Sequence, residues 1–158
     1  WRIDTDDRII LASPIVWEKN VIVPTRAGSV TAYNLKSRKE LWKFTASGAI
    51  AGTPKIHERR LIIGDESGTV YAIDPETGTT LWRRRLGGET TTPAIEKDTL
   101  FLTAGNSLYS LEAASGIIRW QLPFDSAARI PVTVNGNRIY VGLRNGSLLS
   151  VKDDIYRE

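Results

Sequence analysis

Ala72-Ile73-Asp74-Pro75-Glu76-Thr77-Gly78-Thr79-Thr80-Leu81-Trp82 decides how this chain is read, because altered copies of it stand on either side. Upstream lies Ala32-Tyr33-Asn34-Leu35-Lys36-Ser37-Arg38-Lys39-Glu40-Leu41-Trp42, and downstream Ser110-Leu111-Glu112-Ala113-Ala114-Ser115-Gly116-Ile117-Ile118-Arg119-Trp120. A fourth copy begins at Ser150-Val151-Lys152 and reaches Glu158 without its tryptophan, whereas the chain opens on Trp1. The tryptophans at 42, 82 and 120 set a period of about 40 residues. Prolines at 14, 54, 93 and 131, in steps of 40, 39 and 38, supply a second ruler with the same period. Two independent rulers of one length define an internal repeat.

Each repeat reads as four short strands. In the second, Thr53 to His57, Leu61 to Gly64, Thr69 to Asp74 and Thr80 to Arg83 are strand-like runs. The turns between them carry Arg59-Arg60, Asp65-Glu66-Ser67-Gly68 and Pro75-Glu76-Thr77-Gly78. Glycine there supplies positive φ, and proline pre-sets the first central position of a turn. Alternation such as Val30 and Ala32 against Thr31 and Tyr33 has the period of two expected of a strand. A proline at the head of each unit sits where no ladder bond is needed. No apolar pattern of helical length interrupts this. Four antiparallel strands per repeat of about 40 residues predict an all-β fold, a β-propeller of four-stranded blades. The repeats run roughly over 13–52, 53–91, 92–129, and 130–158 together with 1–12.

The pattern A-x-D-x-x-T-G-x-x-x-W, complete from Ala72 to Trp82, resembles the tryptophan docking motif of the pyrroloquinoline-quinone-like (PQQ-like) propeller repeats. All four units carry some form of it. That family includes quinoprotein alcohol dehydrogenases, the bacterial outer-membrane β-barrel assembly lipoprotein, and sensor or scaffold domains joined to kinases. The resemblance implies that Trp42, Trp82 and Trp120 dock between neighbouring blades, and that Trp1 does so for the incomplete fourth unit. A WD-type propeller fits less well, because Lys43, Arg83 and Gln121 follow the tryptophans where that repeat has an aspartate. The first copy has Asn34, Ser37 and Arg38 for Asp, Thr and Gly, and the fourth has Lys152 for Asp, so looser turns are expected there.

Three arrangements complete the fourth unit. The N-terminal segment, with Ile9 to Ala12, closes a four-bladed ring; or two copies exchange that strand in a homodimer and close a ring of eight; or the chain is a piece of a longer one. From the absence of any methionine, an initiator included, we expect a processed chain or an excised fragment.

Composition narrows the function. With 158 residues, 41% hydrophobic and 25% charged, the chain has the make-up of one globular domain. A net charge of +3 is too mild and too dispersed for a nucleic-acid binder. No run of apolar residues is long enough to span a membrane. The chain has no cysteine, hence no disulfide, thiolate metal site or cysteine nucleophile. A quinoprotein dehydrogenase needs clustered Glu, Asn and Asp oxygens for its divalent metal and an Asp base, and no such cluster is legible. His57, the one histidine, has no clustered acids in the sequence and suggests neither a metal site nor a triad. Gly64 to Gly68 differs from a nucleophile elbow, since Ser67 falls one place late and a strand follows. Arg83-Arg84-Arg85 reads as a solvated outer edge.

No catalytic residue, cofactor or metal is therefore expected. The resemblance implies instead a scaffold for a protein partner outside the cytoplasm, with an enzyme relative or a ligand sensor as the competing readings. Loops joining second to third strands share a face with the blade-to-blade connections. On it Arg26, Asp65, Glu66, Arg129 and Arg144 are the candidate partner-binding residues.

Overall fold

The structure is a computed structural model and describes residues 1–5, 12–50 and 52–154. Fifteen strands follow one another in four antiparallel sheets among these residues. The first blade contains β1 (Ile15–Trp17), β2 (Asn20–Pro24), β3 (Ser29–Asn34) and β4 (Glu40–Thr45). The second contains β5 (Lys55–His57), β6 (Arg60–Gly64), β7 (Thr69–Ile73) and β8 (Thr80–Arg85). The third contains β9 (Ala94–Glu96), β10 (Thr99–Ala104), β11 (Ser107–Glu112) and β12 (Ile118–Pro123). In the fourth, β13 (Thr133–Asn135), β14 (Arg138–Gly142) and β15 (Leu148–Lys152) form three strands. Sequence order equals spatial order in every sheet, the meander of propeller blades. Pro14, Pro54 and Pro93 each stand one residue before a first strand, outside the ladder as expected.

The middle strands of the second and third blades are apolar on both faces because each of these blades is sandwiched between two others. Ile22, Val30 and Trp42 of the first blade pack on Leu61, Ile63, Tyr71 and Ile73 of the second. Val70 and Ala72 meet Leu100, Leu102 and Leu111 across the next seam. Phe101 and Leu108 meet Ile139, Val141 and Leu143 across the third.

The repeated motif builds those seams. Its small first residue lies directly opposite its tryptophan: Ala32 faces Trp42, Ala72 faces Trp82 and Ser110 faces Trp120. A bulge follows at once in all three blades. Such an extra residue bends the strand and re-aims a side chain. Trp42 then lies over the turn of the next blade, donating its indole N–H to the Pro75 carbonyl at 3.1 Å. Trp82 repeats this with the Ala113 carbonyl at 3.0 Å. Trp120 donates instead to the Asp153 carboxylate at 3.2 Å.

Two expectations need correction. The turn of the first copy is closed as fully as the second. Asn34 Oδ1 accepts the N–H groups of Lys36 and Ser37 at 3.0 and 2.8 Å, and Arg38 donates to the Asn34 carbonyl at 2.7 Å. The corresponding Gly78 to Asp74 bond is 2.8 Å, so an Asn amide oxygen replaces the carboxylate without loss. Trp1, expected to dock, is 69% exposed, and residues 1–5 form no strand. Ile9, Ile10 and Leu11 of the expected closing strand lie outside the described residues.

Candidate partner-binding face

Three kinds of backbone segment meet at one end of the blades. The loops between second and third strands close on themselves, Thr25 N–H to Ser29, Asp65 to Thr69 and Leu143 to Ser147. The connection leaving each blade is tied to that blade's own loop through Ala46 to Gly28, Leu86 to Gly68 and Phe124 to Asn106. Each connection is also tied to the next blade's loop, because Glu66, Gly105 and Arg144 donate their N–H groups to Ala49, Glu89 and Ala127 at 2.9 to 3.1 Å. The result is a continuous seam of main-chain hydrogen bonds across the face. Gly28 and Gly68, at φ 90° and 89°, allow it, since a Cβ on either would come within 2.7 Å of the carbonyl of Gly48 or Gly88.

Arg26, Glu66 and Arg144 occupy the same position in the first, second and fourth loops, and all are exposed. Arg129 is exposed too and pairs with Glu89 at 3.5 Å. Such a solvated pair contributes little to stability. Glu89 and Arg129 flank a cavity of about 190 Å³ lined by Thr90, Thr91, Thr92 and Pro131. Asp65 is different: it is 1% exposed. Its carboxylate accepts from the Gly48 and Thr69 N–H groups at 3.0 and 2.9 Å and from the Ser67 and Tyr71 hydroxyls at 2.7 and 3.1 Å. Asp65 therefore fastens the first connection to the second blade and presents nothing to a partner.

The model of the family described as outer membrane protein assembly factor BamB matches residues 1–87 and, overlapping, 66–154. The chain belongs to this family of PQQ-like repeat propellers. Its fold is similar to that of BamB from Moraxella catarrhalis, at a TM-score of 0.80 and 18% identity over 99% of this chain and 54% of that one. This BamB-family chain thus spans about half the length of that protein. The computationally designed Ika4 protein is similar at a TM-score of 0.82 and 14% identity, covering 94% of this chain and 93% of that one. Quinohemoprotein alcohol dehydrogenase from Comamonas testosteroni shares the fold at 0.71 and 15% identity, over 87% of this chain and 29% of that one. At these identities the likeness shows the fold alone. Among curated proteins nothing matches.

Elsewhere, the BamB-family repeat puts its charges to local use. Arg59 pairs with Glu76 at 2.8 Å and reaches Glu18 at 3.8 Å, while Arg60 pairs with Glu58 at 3.3 Å. Arg84, read as a solvated edge residue, donates from Nε to the Gly116 carbonyl at 2.8 Å and so joins the second blade to the third. Arg83 and Arg85 are exposed. In the third copy, Glu112 accepts a hydrogen bond from the Ser115 hydroxyl and lies 3.5 Å from Arg119. The Ser115 bond foremost, and Arg119 with it, hold its carboxyl below the usual range. His57 is not isolated in space: one ligand atom each from His57, Glu58 and Asp98 lies within 4.8 Å of the others. Asp98 is 41 residues away and belongs to another blade, which is why no sequence spacing announced it. Among the described residues no helix is long and apolar enough to cross a membrane.

Proposed function

We propose that this chain is a non-enzymatic scaffold that presents the loop end of its blades to a protein partner in the cell envelope, outside the cytoplasm. The observation that carries it is the hydrogen-bonded seam through Glu66, Gly105 and Arg144, which fixes the backbone from which exposed side chains project. A surface already ordered before binding loses little conformational entropy on association. Arg26, Glu66 and Arg144 make it mixed in charge, which favours a partner of complementary alternating charge and sets encounter rate and register. Membership of the BamB family supports assembly work rather than chemistry.

Photo-crosslinking side chains at positions 26, 66 and 144 test this against the same groups at Lys36 and Arg38 on the other end. The expected result is one discrete protein adduct from the loop face, and the adduct formed from position 26 is lost when Glu66→Arg and Arg144→Glu are combined. Equal adducts from both ends, or none, would overturn the proposal. So would one-to-one uptake of pyrroloquinoline quinone with Ca²⁺ in calorimetry, which would make the chain an enzyme relative.

A further inference from the structure

The turns between first and second strands lie at the end opposite the loop face, and they have one register in every blade. Trp17 pairs with Asn20, His57 with Arg60, Glu96 with Thr99 and Asn135 with Arg138. Trp17, Glu18 and Arg59 at the seam between the first two blades therefore occupy the same places as His57, Glu58 and Asp98 at the next seam. At the first seam a cation fills the junction. The Arg59 guanidinium sits 5.3 Å from the centre of the Trp17 ring and 3.8 Å from the Glu18 carboxylate.

At the second seam Asp98 stands where the first has Arg59, and an imidazole and two carboxylates bring ligand atoms within 4.8 Å of one another, with Arg60 3.3 Å from Glu58. His57 Nε2 and Asp98 Oδ1 are both out of contact with solvent and without a hydrogen-bond partner. Buried polar atoms left unpaired are destabilising, so a group that satisfies both is expected. The Asp98 backbone is fixed, since its carbonyl accepts the Ala113 N–H at 2.9 Å and the Ala113 carbonyl receives Trp82. Glu58 sits at φ 44° in a tight turn beside His57 and Asp98.

We propose that His57, Glu58 and Asp98 bind a first-row divalent cation, zinc by their donor set, across the seam between the second and third blades. One nitrogen and two carboxylate oxygens suit such an ion, with a water completing the shell. Tetrahedral zinc separates its ligands by about 3.3 Å, and the exposed Glu58 side chain is free to adjust toward that spacing. Arg60, 3.3 Å from Glu58 Oε2, leaves Oε1 for the metal. The ion does at this seam what Arg59 does at the previous one: it supplies positive charge between two blades.

Titration of the untagged, chelator-stripped chain with Zn²⁺ in a calorimeter, alongside thermal unfolding, tests the site without reference to any partner. The expected result is one ion per chain and a melting temperature that rises with free Zn²⁺. Asp98→Asn and His57→Ala should each weaken binding at least tenfold, the loss typical even of outer residues at metal sites. Asp98→Arg, which copies the residue of the first seam, should abolish binding while the chain keeps its cooperative unfolding. No uptake of Zn²⁺, or uptake that these substitutions leave unchanged, would overturn the proposal and leave a water-bridged His57 and Asp98 pair.

Discussion

At the scale of single residues, the motif glycine and the motif tryptophan prove to be one device seen from two blades. A Cβ on Gly78 would lie 2.7 Å from the Trp42 ring, and one on Gly116 would lie 2.5 Å from the Trp82 ring. Glycine is needed where an indole must be received, and only secondarily for its φ of 75° or 69°. Arg38 holds the same position at φ 63° but is exposed. Gly78→Ala should therefore cost about 2–4 kcal/mol in urea unfolding, combining left-handed strain with overpacking. Arg38→Gly should change stability by less than about 0.5 kcal/mol, because relief of strain is offset by a more flexible unfolded chain. Equal effects would mean that the turn conformation, not the ring, selects glycine. Tryptophans divide in the same way. Trp42, 8% exposed, should cost about 3–5 kcal/mol on replacement by alanine, whereas Trp1→Ala should stay within about 0.5 kcal/mol. The docking role was legible for Trp42 and Trp82 because both stand in recurring copies. Trp1 was assigned by continuity of the repeat alone, which says nothing of what the side chain touches.

Single elements show what a sequence period cannot carry. Strand number, order and the prolines ahead of the first strands follow from alternation and turn chemistry, which are local. Asp65 is among the expected partner-binding residues because its loop joins a second strand to a third on the shared face. Its burial comes from Gly48 and Tyr71, donors from a preceding connection and from a strand, and no window around residue 65 contains both. Asp65→Ala would strand the Gly48 and Thr69 N–H groups and take an acceptor from the Ser67 and Tyr71 hydroxyls, and should cost about 3 kcal/mol or more. A smaller loss would mean that water replaces the carboxylate. The third turn adds a pH dependence. Ser115 and Arg119 favour the ionised form of Glu112 and lower its pKa in the folded chain. A group depressed in this way stabilises the fold above its unfolded value, and the contribution is lost as pH falls through the folded one. The melting temperatures of the parent chain and Glu112→Gln should differ at neutral pH and converge on acidification below the ordinary carboxylate range. A difference that persists in acid would separate the effect from this titration.

Across the whole molecule, seams are unequal in a way that repetition conceals. Val30, Val70, Leu108 and Leu148 share one position of the repeat, directly after Ser29, Thr69, Ser107 and Ser147. The first three are fully buried against the following blade, and Leu148 is 74% exposed. The repeat thus writes the same apolar residue type into four places while the structure covers three of them. Leu108→Ala should cost about 2–5 kcal/mol as a buried deletion. Leu148→Lys should shift stability by less than about 0.5 kcal/mol, as an exposed site does, if the chain in solution leaves that face open. Sedimentation should then give a mass near the 17.5 kDa of one chain. A large loss for Leu148→Lys, with a mass twice that value in the parent and not in the variant, would show instead that a second copy supplies the next blade. The two substitutions touch opposite sides of the fourth blade, so together they measure whether the propeller's last seam exists in solution.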